Sequence, residues 1–105
     1  MKEITPSELK VMIDRNEKFQ IIDVREQYEI DLCNIGGTNI NLYDILDRKM
    51  EIDKNKKVII YCRSGKRSAT AVNILEKDSR FENLYNLKGG INQWAKEVDS
   101  SISPY

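Results

Sequence analysis

Four apolar residues in succession, Val58-Ile59-Ile60-Tyr61, run into Cys62 and the basic segment Arg63-Ser64-Gly65-Lys66-Arg67-Ser68, and no other stretch constrains the fold as much. An unbroken apolar run of this length reads as a strand buried on both faces, the kind that sits inside a parallel sheet covered by helices. From Ala69 to Asp78 the spacing of Ala71, Val72 and Leu75 predicts a helix. Cys62 therefore stands at the carboxyl end of a buried strand, ahead of a glycine-containing loop and a helix N-terminus. That is a reactive atom set in an anion site. A helix start leaves backbone N–H groups without intrahelical partners and carries partial positive charge. Arg63, Lys66 and Arg67 add full charges, with no acidic residue among them. Each contribution favours thiolate, so Cys62 is expected to titrate below the free-cysteine value of about 8.5. Gly65 lets the backbone turn where a side chain would obstruct it. Most free cysteines are small buried hydrophobes. The glycine, the cations and the strand-loop-helix setting argue that this one does chemistry.

The rest of the chain builds a sheet around that strand. Thr5-Pro6-Ser7-Glu8 is a helix start, with Thr5 as N-cap, Pro6 at the first helical position and Glu8 completing a capping box. Leu9, Met12 and Ile13 follow at helical spacing, and Asn16 is a stop. Phe19 to Arg25 reads as a strand that leaves Asp23 and Arg25 at its carboxyl end, the end that faces the ligand crevice in open parallel sheets. These two are expected to support the site as an ion pair or turn cap that holds the neighbouring loop. Glu26 to Leu32 suggests one or two helical turns, Asn34 to Thr38 a turn, Thr38 to Leu42 a short strand and Tyr43 to Met50 a short helix. Asp53 to Lys57 reads as a solvated loop, and Leu84-Tyr85-Asn86-Leu87 as another short strand. Strand, helix and strand within about thirty residues make a right-handed crossover. After Lys88-Gly89-Gly90, the residues Ile91, Trp94, Ala95 and Val98 mark an amphipathic helix. The polar tail from Ser100 to Tyr105 either docks or frays. The expectation is one α/β domain over residues 1–105, with a central, mostly parallel sheet flanked by helices on both faces.

Composition narrows the function. The chain of 105 residues carries 17 basic and 17 acidic side chains. That balance argues against nonspecific binding to nucleic acid or membrane. No apolar run approaches the length needed to span a bilayer, and the first residues lack a signal-peptide core, so the expected location is cytoplasmic. There is no histidine and there are two cysteines, Cys33 and Cys62, without a C-x-x-C pair. This argues against a zinc site or any other cofactor and removes Ser-His-Asp and Cys-His catalysis. A nucleophilic Cys62 has to be activated by backbone amides, the helix dipole and nearby cations.

Three blocks carry a family resemblance: Asp23-Val24-Arg25-Glu26, Cys62 to Ser68 with Ala71 and Leu75 beyond it, and Leu87-Lys88-Gly89-Gly90-Ile91 with Trp94. In order and spacing they resemble the signature blocks of a single rhodanese domain, across nearly the whole chain. Cys33-Asn34-Ile35 stands where the family usually has Gly-His-Ile, whose histidine is not its nucleophile. An acidic stretch running into a cysteine there, with Trp94-Ala95-Lys96-Glu97-Val98-Asp99 through Pro104-Tyr105, is similar to the rhodanese domains at the C-terminus of adenylating enzymes in molybdopterin, thiamin or tRNA sulfur pathways. The resemblance implies a sulfurtransferase. Cys62 would take sulfane sulfur from thiosulfate or a protein persulfide. The backbone N–H groups of residues 63 to 68 would hold the anionic sulfur, with Arg63, Lys66 and Arg67 favouring an anionic donor. Ser64, Gly65 and Ser68 complete the expected binding loop. The acceptor would be a thiol, cyanide in an assay, or a small ubiquitin-like sulfur carrier served by a fused or separate adenylating domain.

Other readings stay open at this point. A cysteine phosphatase on the same fold also uses a thiolate and an arginine, but Cys62 to Arg67 is C-x-x-x-x-R, one residue shorter than the loop those enzymes carry. A noncatalytic interaction module is a further alternative, and a redox pair of Cys33 and Cys62 ranks below it.

Overall fold

A computed structural model describes residues 1–103 and 105. Its elements, in chain order, are β1 (Lys2–Ile4), α1 (Pro6–Asp14), β2 (Phe19–Asp23), α2 (Gln27–Leu32), β3 (Thr38–Asn39), β4 (Lys57–Tyr61), α3 (Lys66–Ser79), β5 (Leu84–Leu87) and α4 (Gly90–Glu97). The strands form one sheet in the order β1-β5-β4-β2-β3, and every neighbouring pair is parallel. The expected α/β architecture is present, with helices on both faces.

The alternation of side chains along β4 divides the core. Val58 and Ile60 face one side with Cys62, packed with Ile22, Ala71, Val72, Leu75 and Leu84. Ile59 and Tyr61 face the other, packed with Leu9, Met12, Leu87, Ile91 and Trp94. Thus α3 covers one face while α1 and α4 cover the other. The chain leaves β2 for β3 on one side, then returns to β4 and continues to β5 on the other. The reversal opens a crevice beyond the carboxyl ends of β2 and β4, where a parallel sheet binds its ligands. Asp23 and Tyr61 pair in register there, and Cys62 follows directly.

Local chemistry explains most boundaries. Thr5 Oγ1 accepts the Glu8 N–H at 3.1 Å, and Glu8 Oε1 accepts the Thr5 N–H at 2.9 Å, so the capping box forms as read. The structure departs from expectation in five places. The strand Lys2–Ile4 lacks an apolar pattern, with two charged residues out of three, and forms by pairing at the sheet edge with β5. Ile13 turns to solvent, because Leu9 and Met12 already fill the buried stripe of a short helix. The strand after the Asn34 turn is only Thr38–Asn39. Tyr43 to Met50 does not form one helix. Short 3-10 turns, Leu42–Asp44 and Lys49–Glu51, flank it, and only Ile45 reaches the core while Met50 is 92% exposed. Finally, α3 begins at Lys66, three residues ahead of the expected Ala69, for a reason that belongs to the Cys62 loop.

Burial separates two residues of α1 that the sequence groups together. Leu9→Ala should destabilise the fold by about 2–5 kcal/mol through the cavity it leaves. Ile13→Ala should shift stability by no more than about 0.5 kcal/mol. Urea unfolding of both variants measures this, and equal losses would contradict the assigned face.

Candidate active site

β4 delivers Cys62 to the crevice with 1% of its surface exposed. The chain turns at once through Gly65, whose φ of +100° suits glycine and which acts as the N-cap of α3. The turn is tight enough that Lys66, Arg67 and Ser68 already form the first helical turn. Their N–H groups therefore lack intrahelical acceptors, and that of Ser68 reaches the sulfur. Cys62 Sγ accepts the Gly65 N–H at 3.1 Å and the Ser68 N–H at 3.4 Å, with Ser68 Oγ also at 3.4 Å.

A loop that points its amides inward must place its carbonyls elsewhere. Cys62 O accepts the Ile91 N–H at 2.9 Å and Arg63 O accepts the Asn92 N–H at 3.1 Å, both from the start of α4. Gly65 O accepts the Ala69 N–H at 3.1 Å and Asn86 Nδ2 at 3.2 Å. The Ser68 hydroxyl donates to Asn86 Oδ1. Asn86 thus fastens both ends of the turn from within β5. Gly90 makes the approach of α4 possible. It sits at φ +62°, and a Cβ there would fall 2.4 Å from Arg63 O and 2.5 Å from Cys62 O.

Asp23, Arg25, Glu29 and Tyr105 form a charged network beside the loop. Arg25 is fully buried and grips Asp23 through Nη2 to Oδ2 at 2.8 Å and Nε to Oδ1 at 3.0 Å. It also donates to Cys33 O at 2.7 Å and to the Tyr105 hydroxyl oxygen at 2.9 Å. Burial opposes the charge on Arg25, but the hydrogen bonds to Asp23 and Tyr105 outweigh it and raise its pKa. Glu29, on α2, binds Arg67 with both oxygens at 2.6 and 2.8 Å and accepts the Tyr105 O–H. The Arg67 bond, ahead of an opposing burial effect, holds the Glu29 carboxyl down to about 2. Arg63 lies with its guanidinium 4.8 Å from the centre of the Tyr105 ring.

The expected binding residues are therefore used unequally. Gly65 and Ser68 touch the sulfur through their amides, while Arg63, Ser64 and Lys66 lie exposed along the loop. Arg67 is held by Glu29, so its charge is near the site with its hydrogen bonds already directed away. Asp23 and Arg25 bind each other and brace the α2 segment; among the described residues their hydrogen bonds do not reach Cys62. Cys33 packs against the cluster on the opposite face of the sheet from Cys62. The polar tail docks through Tyr105, whereas Pro104, named in the resemblance, lies outside the described residues. Sequence reasoning missed Asn86, Glu29 and Tyr105. Asn86 gave one signal, an amide on the inward face of an apolar strand, where a buried polar group demands partners.

Comparison with known proteins identifies the fold that carries this site. The family model described as "Rhodanese-like domain" matches residues 5–97. MoeZ of Mycobacterium tuberculosis, named as an adenylyltransferase/sulfurtransferase, is 31% identical over 105 residues, covering 97% of this chain and 26% of MoeZ. The chain thus spans about a quarter of that relative. YqhL of Bacillus subtilis, an uncharacterized protein, is 38% identical, covering 93% of this chain and 75% of YqhL. A crystal structure of a rhodanese-like domain protein from Staphylococcus aureus superposes with a TM-score of 0.82 at 32% identity, covering 93% of this chain and 95% of that one.

The Glu29 carboxyl gives the site a pH signature. Its folded value of about 2 lies below the ordinary 4.5, so its share of stability is present above about 4.5 and is lost as pH falls towards 2. Glu29→Gln should lose roughly 2–3 kcal/mol at neutral pH, and its deficit should shrink as pH falls through that window. Urea unfolding at a series of pH values checks this, and a deficit independent of pH would contradict the ionic role.

Proposed function

The chain belongs to the rhodanese family, and from that membership we propose a sulfurtransferase that carries sulfane sulfur as a persulfide on Cys62. The observation that carries this reading is the pair of backbone N–H groups, from Gly65 and Ser68, aimed at Cys62 Sγ in a site without histidine. In the first half-reaction the Cys62 thiolate attacks the outer sulfur of a donor such as thiosulfate. The new S–S bond forms as the donor's S–S bond breaks, and that electron pair leaves with sulfite. Where Cys62 starts as a thiol, its proton passes to water. The outer persulfide sulfur then carries the negative charge, and the free N–H groups of the first turn of α3 are its natural donors. In the second half-reaction with a nucleophilic acceptor, such as cyanide or a thiol, the acceptor attacks that outer sulfur, and the electron pair of the broken bond returns to Cys62. Preorganised amides stabilise the charge at both stages without reorganising.

The acceptor fits the context of the relatives. MoeZ is named for adenylyl transfer as well as sulfur transfer. An adenylated carboxyl group is an electrophile that the outer persulfide sulfur can attack with loss of AMP, leaving an acyl disulfide on Cys62. Small external thiols then reduce that acyl disulfide, releasing the thiocarboxylate and restoring the Cys62 thiol as the external thiols are oxidised to a disulfide. A small ubiquitin-like sulfur carrier, activated by a fused or separate adenylating domain, is therefore the acceptor proposed here. Molybdopterin or thiamin synthesis would be the setting, and a protein persulfide is the alternative donor to thiosulfate. A phosphatase reading is less well supported. The arginine that a phosphoryl group would need is bound at both ends to Glu29, and the loop is one residue short.

Cys62→Ala should abolish sulfur transfer from thiosulfate to cyanide, followed as thiocyanate, while Cys33→Ala should leave it essentially unchanged. Turnover retained without Cys62 would refute the assignment.

A further inference from the structure

Both arginines of the Cys62 loop end on the same pair of residues outside it. Arg63 rests on the Tyr105 ring at 4.8 Å, and Arg67 is bound by Glu29, which in turn accepts the Tyr105 hydroxyl. The same hydroxyl accepts from Arg25, whose guanidinium is 5.7 Å from the ring centre. Tyr105 therefore joins three arginines and one carboxylate across some 80 residues of sequence. An arginine on an aromatic face loses freedom and keeps its charge, since the ring attracts the cation without neutralising it. Arg63 has no carboxylate within ion-pair distance among the described residues, unlike Arg25 and Arg67. Its charge thus remains available to a ligand.

We propose that Tyr105 is a positioning residue for anion recognition: its ring seats Arg63 and its hydroxyl fixes the Glu29–Arg67 pair beside it, so that Arg63, the loop arginine whose charge is not paired, forms a fixed cationic rim beside Cys62. The rim selects anionic partners over neutral ones of similar size. Burial, and then the bond to Glu29, push the Tyr105 hydroxyl up to about 12, so it donates to the carboxylate throughout the neutral range. For thiosulfate or a carboxylate-bearing donor this identity rests on the sulfurtransferase reading, whereas the rim itself does not.

The test alkylates Cys62 with iodoacetate, which is anionic, and iodoacetamide, which is neutral, and follows Cys62 by peptide mass spectrometry. The ratio of the two rate constants reads the charge met by an approaching reagent; a merely looser fold would change both rates together. Tyr105→Leu should lower the iodoacetate-to-iodoacetamide ratio roughly three- to tenfold, as Arg63→Ala should. Combining the two should add little, because they remove one arrangement. Tyr105→Phe, which keeps the ring, should retain most of the Arg63 share. An unchanged ratio in Tyr105→Leu, or effects that simply multiply with Arg63→Ala, would overturn the proposal. Because alkylation needs no sulfur transfer, this outcome is separate from the fate of the sulfurtransferase reading.

Discussion

The inward direction of the amides around Cys62 is the constraint on which the rest of the structure depends. The tight turn that aims the Gly65 and Ser68 N–H groups at the sulfur carries the carbonyls of Cys62, Arg63 and Gly65 out of the strand ladder, and buried carbonyls need donors. The donors come from two elements far along the chain. The first residues of α4 serve Cys62 O and Arg63 O, and Asn86 on β5 serves Gly65 O. Gly90 is required for the approach, because any side chain there would meet the backbone of the loop. Gly90 is thus a condition of the site, although it does not touch the sulfur.

Around this polar cradle each buried ion among the described residues has a partner of opposite charge. Asp23 and Arg25 are both within the protein, and removal of one partner from such a pair leaves an uncompensated charge that costs about 3–5 kcal/mol. Arg25 also holds Cys33 O, which fixes the chain after α2 and so the position of Glu29. Glu29 then holds Arg67 at the start of α3. The chain of contacts from β2 to α3 ties the two sides of the switch-point crevice together.

Features set by local pattern were legible in the sequence. The capping box at Thr5, the doubly buried β4, the β5 strand and the periodicity of Ile91, Trp94 and Ala95 each follow from residues a few positions apart. Cys62 and its glycine turn were legible for the same reason. Features set by distant partners were not. Edge strand β1 has little apolar signal of its own and exists because β5 offers it a ladder. The segment from Tyr43 to Met50 has helical spacing, but only Ile45 finds a core to enter, so its neighbours stay in short turns. Glu29 reads as one more acid on a short helix until Arg67, 38 residues on, binds it, and Tyr105 reads as part of a tail. Of the basic residues expected around Cys62, Arg67 is bound by Glu29 and Arg63 rests on the Tyr105 ring, while Lys66 stays exposed.

The most direct measurement is intact-protein mass spectrometry after exposure to a sulfane sulfur donor, with peptide mapping of the product. The account predicts the gain of one sulfur atom, located on Cys62 and removed by cyanide. No gain from either thiosulfate or a protein persulfide, or a gain located on Cys33, would contradict it.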